Sequence, residues 1–347
     1  MRKHLKTAFL LLLTGLVLWR LWRGINWIEV RHSLSQADPF LLAVATVVSA
    51  GTNFLRSCRW RTLLSPLTRV SLHDVFAATN IGIGASFLFG AALGEIIRPM
   101  TLTLLNRKVR PATSFLTIVV ERVCDLTIVS VFFGMSLLWL PMLNFPEQSA
   151  HARELGAILL VLPALGLGTL LLFKSGFLNM PDWFSASLAH WHIAPGGLRR
   201  VSSGLLRKLI TALDLLSNKR ELIVVALWSA GQWLANLLGT WLIMKAFGIN
   251  FGVKETLLVV CCGLVGSLVP TPGGAAGAFH AALSSGLIFL GLTIERAAAI
   301  SITAHLIGFV PALAFGSYYL LRGNVNLKQL RHDVSDAAHG GEEWRFS

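Results

Sequence analysis

The chain has 347 residues, 54% of them hydrophobic and only 14% charged, with mean hydropathy +0.66 and a formal net charge of +13. A soluble chain carries about a quarter charged residues, so a water-soluble enzyme is excluded and a polytopic membrane protein is indicated. The basic residues cluster between apolar runs and not on one soluble module, which speaks against a nucleic-acid partner and for the positive-inside bias of membrane loops.

Met1–Lys6 is basic and Thr7–Leu18 apolar, but no small-residue cleavage site follows. With the interfacial anchor Trp19-Arg-Leu-Trp-Arg23, this reads as an uncleaved first span. Pro39–Leu55 is the second, closed by Arg56, Arg59 and Arg61. Leu72–Leu104 is apolar but broken by Gly82, Gly84, Gly90 and Gly94, too much glycine for one straight span. It reads as a re-entrant hairpin over about 72–105, turning near Phe87–Leu93. Glu95 then falls in the first turn of the outgoing half-helix, where the dipole favours a carboxylate, and Arg98 lies on the same face for pairing.

Pro111–Leu140 is long enough for a tilted span and contains Glu121, Arg122 and Asp125. Leu155–Phe173 is the next span. A connector over about 175–220 is interfacial and then amphipathic, its Val201, Leu205, Leu209, Leu213 and Leu216 on one face flanked by basic residues. It suits an anionic leaflet or an ordinary docked loop. Leu222–Phe247 is a span with Gln232 and Asn236 inside.

Leu268-Val-Pro-Thr-Pro-Gly-Gly-Ala-Ala-Gly-Ala-Phe-His280 then interrupts an apolar stretch with two prolines and three glycines. One continuous helix cannot hold them. Irregular backbone at membrane depth needs a protein or cavity lining, so about 254–292 reads as a second re-entrant hairpin. Pro272, Gly273 and Gly274 start its outgoing half with bare N–H groups that attract anions. A tight loop between two short spans is the alternative. A last span covers Ile294–Leu321, and 325–347 is a polar cytoplasmic tail.

The expected fold is an all-α polytopic membrane protein, a single domain over 1–324 with about six full spans plus two re-entrant helical hairpins in an inverted-repeat arrangement. The lysine and arginine distribution puts both termini in the cytoplasm, the hairpins entering from opposite sides. Interrupted segments of this kind point to a transporter's binding site.

Charges at bilayer depth require partners. Glu121 and Asp125 sit four apart on one helical face and repel unless a cation or proton lies between them. Arg98 and Arg122 are the candidate cations, giving an expected buried network of Glu95, Arg98, Glu121, Arg122 and Asp125. That network serves transport, merely holds the first hairpin to its neighbour or, as the least favoured reading, serves catalysis. His280 and His305 are a candidate functional pair, or two satisfied core residues. His190 and His192 read as interfacial. Cys58, Cys124, Cys261 and Cys262 show neither metal spacing nor a disulfide framework. With no hydrolase triad, Walker loop, HExxH, acidic metal motif or Asp-x-Asp, no catalytic residue, metal or cofactor is expected.

Four runs in order, Asn53-Phe-Leu-Arg-Ser-Cys-Arg-Trp-Arg61, Gly94-Glu95-Ile-Ile-Arg98-Pro99, Glu121-Arg122-x-x-Asp125 and Pro270-Thr-Pro-Gly-Gly274, resemble the lysylphosphatidylglycerol synthase transmembrane-region family. The resemblance implies a flippase-like membrane region. In the multiple peptide resistance factors such a region is joined to a soluble aminoacyl-transferase half, which this sequence lacks, so synthase activity does not carry over. Gly90 and Ala92 stand where many members have a proline and a basic residue. His280 and His305 stand at about the places of a glutamate and an arginine, which alters the charge of the headgroup site.

The expectation is a non-enzymatic, flippase-like lipid transporter of the bacterial inner membrane. It would move an anionic phospholipid or polyprenyl-phosphate-linked lipid, as a homodimer or with an envelope-biosynthesis partner. The alternatives are a membrane-embedded glycosyl or acyl transferase and a non-transporting accessory subunit.

Overall fold

The computed structural model describes residues 15, 19, 23–139, 154–161, 165, 219–268 and 272–322, and among them every regular element is helical. Nearly all of Thr7–Leu18, most of Leu155–Phe173, His190, His192, nearly all of the connector, Pro270 and the tail lie outside the described residues.

The first element, α1 (Trp27–Gln36), is capped by Asn26, whose side chain accepts from Ile28 N at 3.1 Å. Asp38 caps α2 (Pro39–Leu64) by accepting from Phe40 N at 2.8 Å, and Pro39 supplies a preset φ at N1. The sequence suggests an end near Leu55, but α2 runs 26 residues, carrying Arg56 and Arg59 inside it. Helix α3 (Leu72–Phe89) is capped by Ser71, which accepts from Asp74 N at 3.0 Å.

The chain then breaks at Gly90, with φ 96° and ψ 155°, within the expected turn. That backbone region belongs to glycine. Helix α4 (Ala91–Leu105) folds back along α3. Contact between the two is so close that a Cβ on Gly94 would overlap Ser86 Oγ and Gly82 O. Glu95 lies beyond the first turn of α4, so the expected dipole contact does not form. Helix α5 (Pro111–Trp139) has 29 residues, and α6 (Lys219–Ala246) has 28.

The second hairpin is α7 (Val253–Ser267) and α8 (Pro272–Phe289), followed by α9 (Ile294–Leu321). Pro272 opens α8 as expected, but Gly274 and Ala275 take positive φ, so its first turn is distorted. Two apolar cores serve the two hairpins. Trp60, Leu64, Val75, Ala78, Leu102 and Ile118 join α2, α3, α4 and α5. Met244, Val259, Leu287 and Ala297–Ile300 join α6, α7, α8 and α9.

Among the described residues four helices are long and apolar enough to cross a membrane: Pro39–Leu64, Leu72–Phe89, Arg220–Ala246 and Ile294–Leu321. Phe40, Val47, Leu227, Leu234 and Leu321 expose large apolar side chains, as a lipid-facing surface requires. Leu72–Phe89, read from the sequence as half a hairpin, is by itself of spanning length.

Gly94→Val is expected to lower stability by about 1–3 kcal/mol through overpacking at the α3–α4 contact. Gly51→Ala, where no atom lies within 4 Å of the added Cβ, is expected to leave it unchanged or slightly raised. Thermal unfolding of both variants in one detergent checks the contrast.

Candidate functional site

The expected carboxylates and arginines meet between α2, α4 and α5. Glu121 is fully buried. Arg98 Nη1 lies 3.1 Å from each of its carboxylate oxygens, donating to Oε1. Arg122 Nη2 reaches Oε1 at 3.1 Å and Arg59 Nη2 at 2.9 Å. Asp125 is gripped from two sides. Arg59 is bidentate on it, Nη1 to Oδ1 at 2.7 Å and Nη2 to Oδ2 at 3.1 Å, while Arg122 Nη2 lies 3.2 Å from Oδ2.

Outer members complete the cluster. Arg56 Nε is 3.9 Å from Glu121, and Arg122 Nη1 is 3.7 Å from Glu95. Arg98 stacks on Trp60 at 4.0 Å, a cation–π contact, and Trp60 in turn donates from Nε1 to Thr117 Oγ1 at 2.9 Å. Arg59 also donates to Ser229 Oγ at 3.3 Å, bringing α6 to the network.

Glu95, Arg98, Glu121, Arg122 and Asp125 are thus brought together, with two changes. Glu95 pairs with Arg122 and Arg98 with Glu121, so the expected Glu95–Arg98 pair does not form. Arg122 does bridge Glu121 and Asp125, but the buried cation between them is Arg59, which sequence reasoning takes for a loop-flanking charge. The available signal was spacing: Thr52, Arg56 and Arg59 recur every three or four residues, and apolar helix continues to Leu64.

Charge does not balance. Among the described residues four guanidiniums (Arg56, Arg59, Arg98, Arg122) meet three carboxylates (Glu95, Glu121, Asp125). The Arg56 and Arg122 side chains retain 26% and 39% exposure, whereas Arg59 and Glu121 have none. Among the described residues, both Nε and Nη2 of Arg98, and Nε of Arg56, are buried without a hydrogen-bond partner. The excess positive charge and open face can receive an anionic oxygen.

The histidines form a second cluster on α8 and α9. His280 and His305 are buried with ring centroids 4.9 Å apart. His280 Nδ1 lies 3.2 Å from Ser301 Oγ, and Ser284 Oγ donates to that same hydroxyl at 3.3 Å. His305 also packs on Phe279, Phe309 and Phe87. Phe87, near the first hairpin's turn, lies 3.1 Å from where a Gly274 Cβ would stand, so the two hairpins touch at the start of α8. Pro272 and Gly273 are described only as the helical backbone that begins there. Among the described residues no group of three His, Cys, Asp or Glu side chains could hold a metal.

Membrane-length helices surrounding a buried ionic cluster define a polytopic helical membrane protein. The chain belongs to the family described as Lysylphosphatidylglycerol synthase TM region, whose model matches residues 7–316. It is similar to a UPF0104 membrane protein of Pyrococcus horikoshii, 25% identical over 335 residues, covering 91% of this chain and 96% of that one. A UPF0104 membrane protein of Methanothermobacter thermautotrophicus is 23% identical over 316 residues, covering 89% and 90%. No solved structure matches the chain.

Glu121→Gln leaves Arg59 and Arg98 buried beside a neutral group. The expected loss is about 3–5 kcal/mol of stability, the range for breaking a buried ion pair. Glu95→Gln, at a longer and half-exposed pair, is expected to cost about 1 kcal/mol or less. Parallel melts in detergent give the comparison.

Proposed function

We propose that this protein is a lipid translocase that receives the phosphate of an anionic headgroup at the charged network. One observation carries the reading: four arginines face three carboxylates inside an apolar helical bundle, and the two outer arginines stay accessible. An uncompensated charge at membrane depth is costly and is characteristically functional. A phosphodiester monoanion would balance the count and offers the oxygens that guanidinium donors favour. The headgroup would sit among the helices while its acyl chains stay in lipid. The family and the contact between the hairpins support this reading.

The proposal includes the re-entrant topology of α3–α4 and α7–α8 and placement in the plasma membrane with cytoplasmic termini, as the basic residues suggest. With no nucleotide-binding motif in the sequence, the drive is a gradient or downhill flow of lipid. A scaffold role is favoured instead by the full burial of Arg59 and Glu121, which hold three helices together.

Translocation of fluorescent phosphatidylglycerol in liposomes, followed by dithionite quenching, separates the two. Wild type is expected to expose inner-leaflet label with no new lipid product. Arg56→Gln and Arg122→Gln are expected to slow it roughly tenfold to a hundredfold, the loss of one charge-assisted hydrogen bond. Wild-type rates equal to protein-free liposomes, or unaltered rates in both folded variants, would leave the network as scaffold.

A further inference from the structure

A cavity of about 180 Å³ lies between α2, α6, α7, α8 and α9, toward the Pro39 end of α2 from the network. Its volume is more than ten times the about 10–15 Å³ that one water needs. Its lining carries no charged residue, and its polar members are Ser49, Thr52, Asn236, Thr240 and Ser267.

Three of those groups hydrogen-bond to the backbone of their own helix. Thr52 Oγ1 donates to Val48 O at 3.1 Å, and Ser267 Oγ donates to Gly263 O at 2.8 Å. Asn236 Nδ2 donates to Gln232 O at 2.9 Å. Each spends a donor on the backbone, so hydroxyl lone pairs and the Asn236 amide oxygen remain for a guest. With no charged residue in it, such a surface suits hydroxyl groups better than an ionised phosphate, in contrast to the arginine network.

The two sites are joined by facing polar files. Ser49, Thr52, Arg56 and Arg59 share one face of α2, and Ser229, Gln232, Asn236 and Thr240 share one face of α6. The files meet where Arg59 donates to Ser229. Gln232, between Ser229 and Asn236, is fully buried, and both its amide atoms lack a hydrogen-bond partner among the described residues. Unmade hydrogen bonds of this kind are costly inside a protein. Thr52 lies one helical turn, about 6 Å of rise, from Arg56, within the span of a phosphoglycerol headgroup.

We propose that the cavity is the neutral half of the headgroup site and takes the hydroxyl-bearing polyol of the lipid whose phosphate sits at the arginines. This rests on the translocase reading and narrows its substrate to polyol phosphodiesters. Phosphate and polyol are recognised at different ends of the shared α2 and α6 faces, by guanidiniums at one end and by neutral hydroxyl and amide groups at the other.

The test uses the full chain in phosphatidylcholine nanodiscs doped with equal phosphatidylglycerol and phosphatidylmethanol of identical acyl chains. Both lipids are phosphodiester monoanions, and only the first has headgroup hydroxyls. Lipids retained on the purified protein are counted by mass spectrometry. Wild type is expected to retain both anions above phosphatidylcholine, and phosphatidylglycerol roughly tenfold above phosphatidylmethanol. Asn236→Leu and the near-isosteric Thr52→Val are expected to bring that ratio close to one while both anions stay enriched. Arg56→Gln is expected to lower both together. Equal retention by wild type, or a preference surviving both cavity substitutions, overturns the cavity assignment alone. If neither anion is enriched, the phosphate reading falls and the cavity assignment with it. Should Asn236→Leu not yield a monodisperse protein, Thr52→Val decides.

Discussion

Arg59 spans Glu121 and Asp125 with no water-exposed surface of its own. In a low-dielectric interior two like charges this close repel strongly, and only a cation between them makes both tolerable. That guanidinium ties α2 to α5, and its bond to Ser229 adds α6. Arg98 adds α4 from the other side of Glu121, with its face covered by Trp60. Removing any inner member strands its partners as buried charges, so the helices cannot separate without exposing ions to lipid.

On the translocase reading the same network also has to differ from an ordinary structural ion pair. A scaffold needs charge balance and closure. Here the inner members are closed, while Arg56 and Arg122 remain partly open and the positive charges outnumber the negative. Rigidity inside and availability outside are what an anion site requires, because the donors must be held before the ligand arrives.

The second hairpin contributes differently. Its apolar partners and its histidine–serine cluster are uncharged or titratable groups packed among aromatic rings. Phe87 beneath Gly274 carries the contact from one hairpin to the other, so movement of either changes the packing around His305. The archaeal relatives match nearly the whole length of the chain. Their likeness therefore covers both hairpins and the helices that hold the network.

Much of this was legible in residue order. The glycine-rich apolar run pointed to a break near Phe87–Leu93, and Pro272 beside two glycines pointed to a helix start, because backbone preference is a local property; that Gly90 breaks the chain while Gly82, Gly84 and Gly94 stay helical was not local. Glu121, Arg122 and Asp125 in one apolar helix announce a partnered cluster, because desolvation of charge is not negotiable anywhere in the chain. The identity of the partner was another matter. Arg59 and Arg61 are two residues apart on one helix, yet the first is buried on Asp125 and the second donates to the Val70 carbonyl. Nothing local distinguishes them, since which arginine faces α5 depends on the rotation of α2 against helices distant in sequence. The neutral polar cavity was hidden for the same reason: serine, threonine and asparagine on α2, α6 and α7 become one surface only when the helices pack.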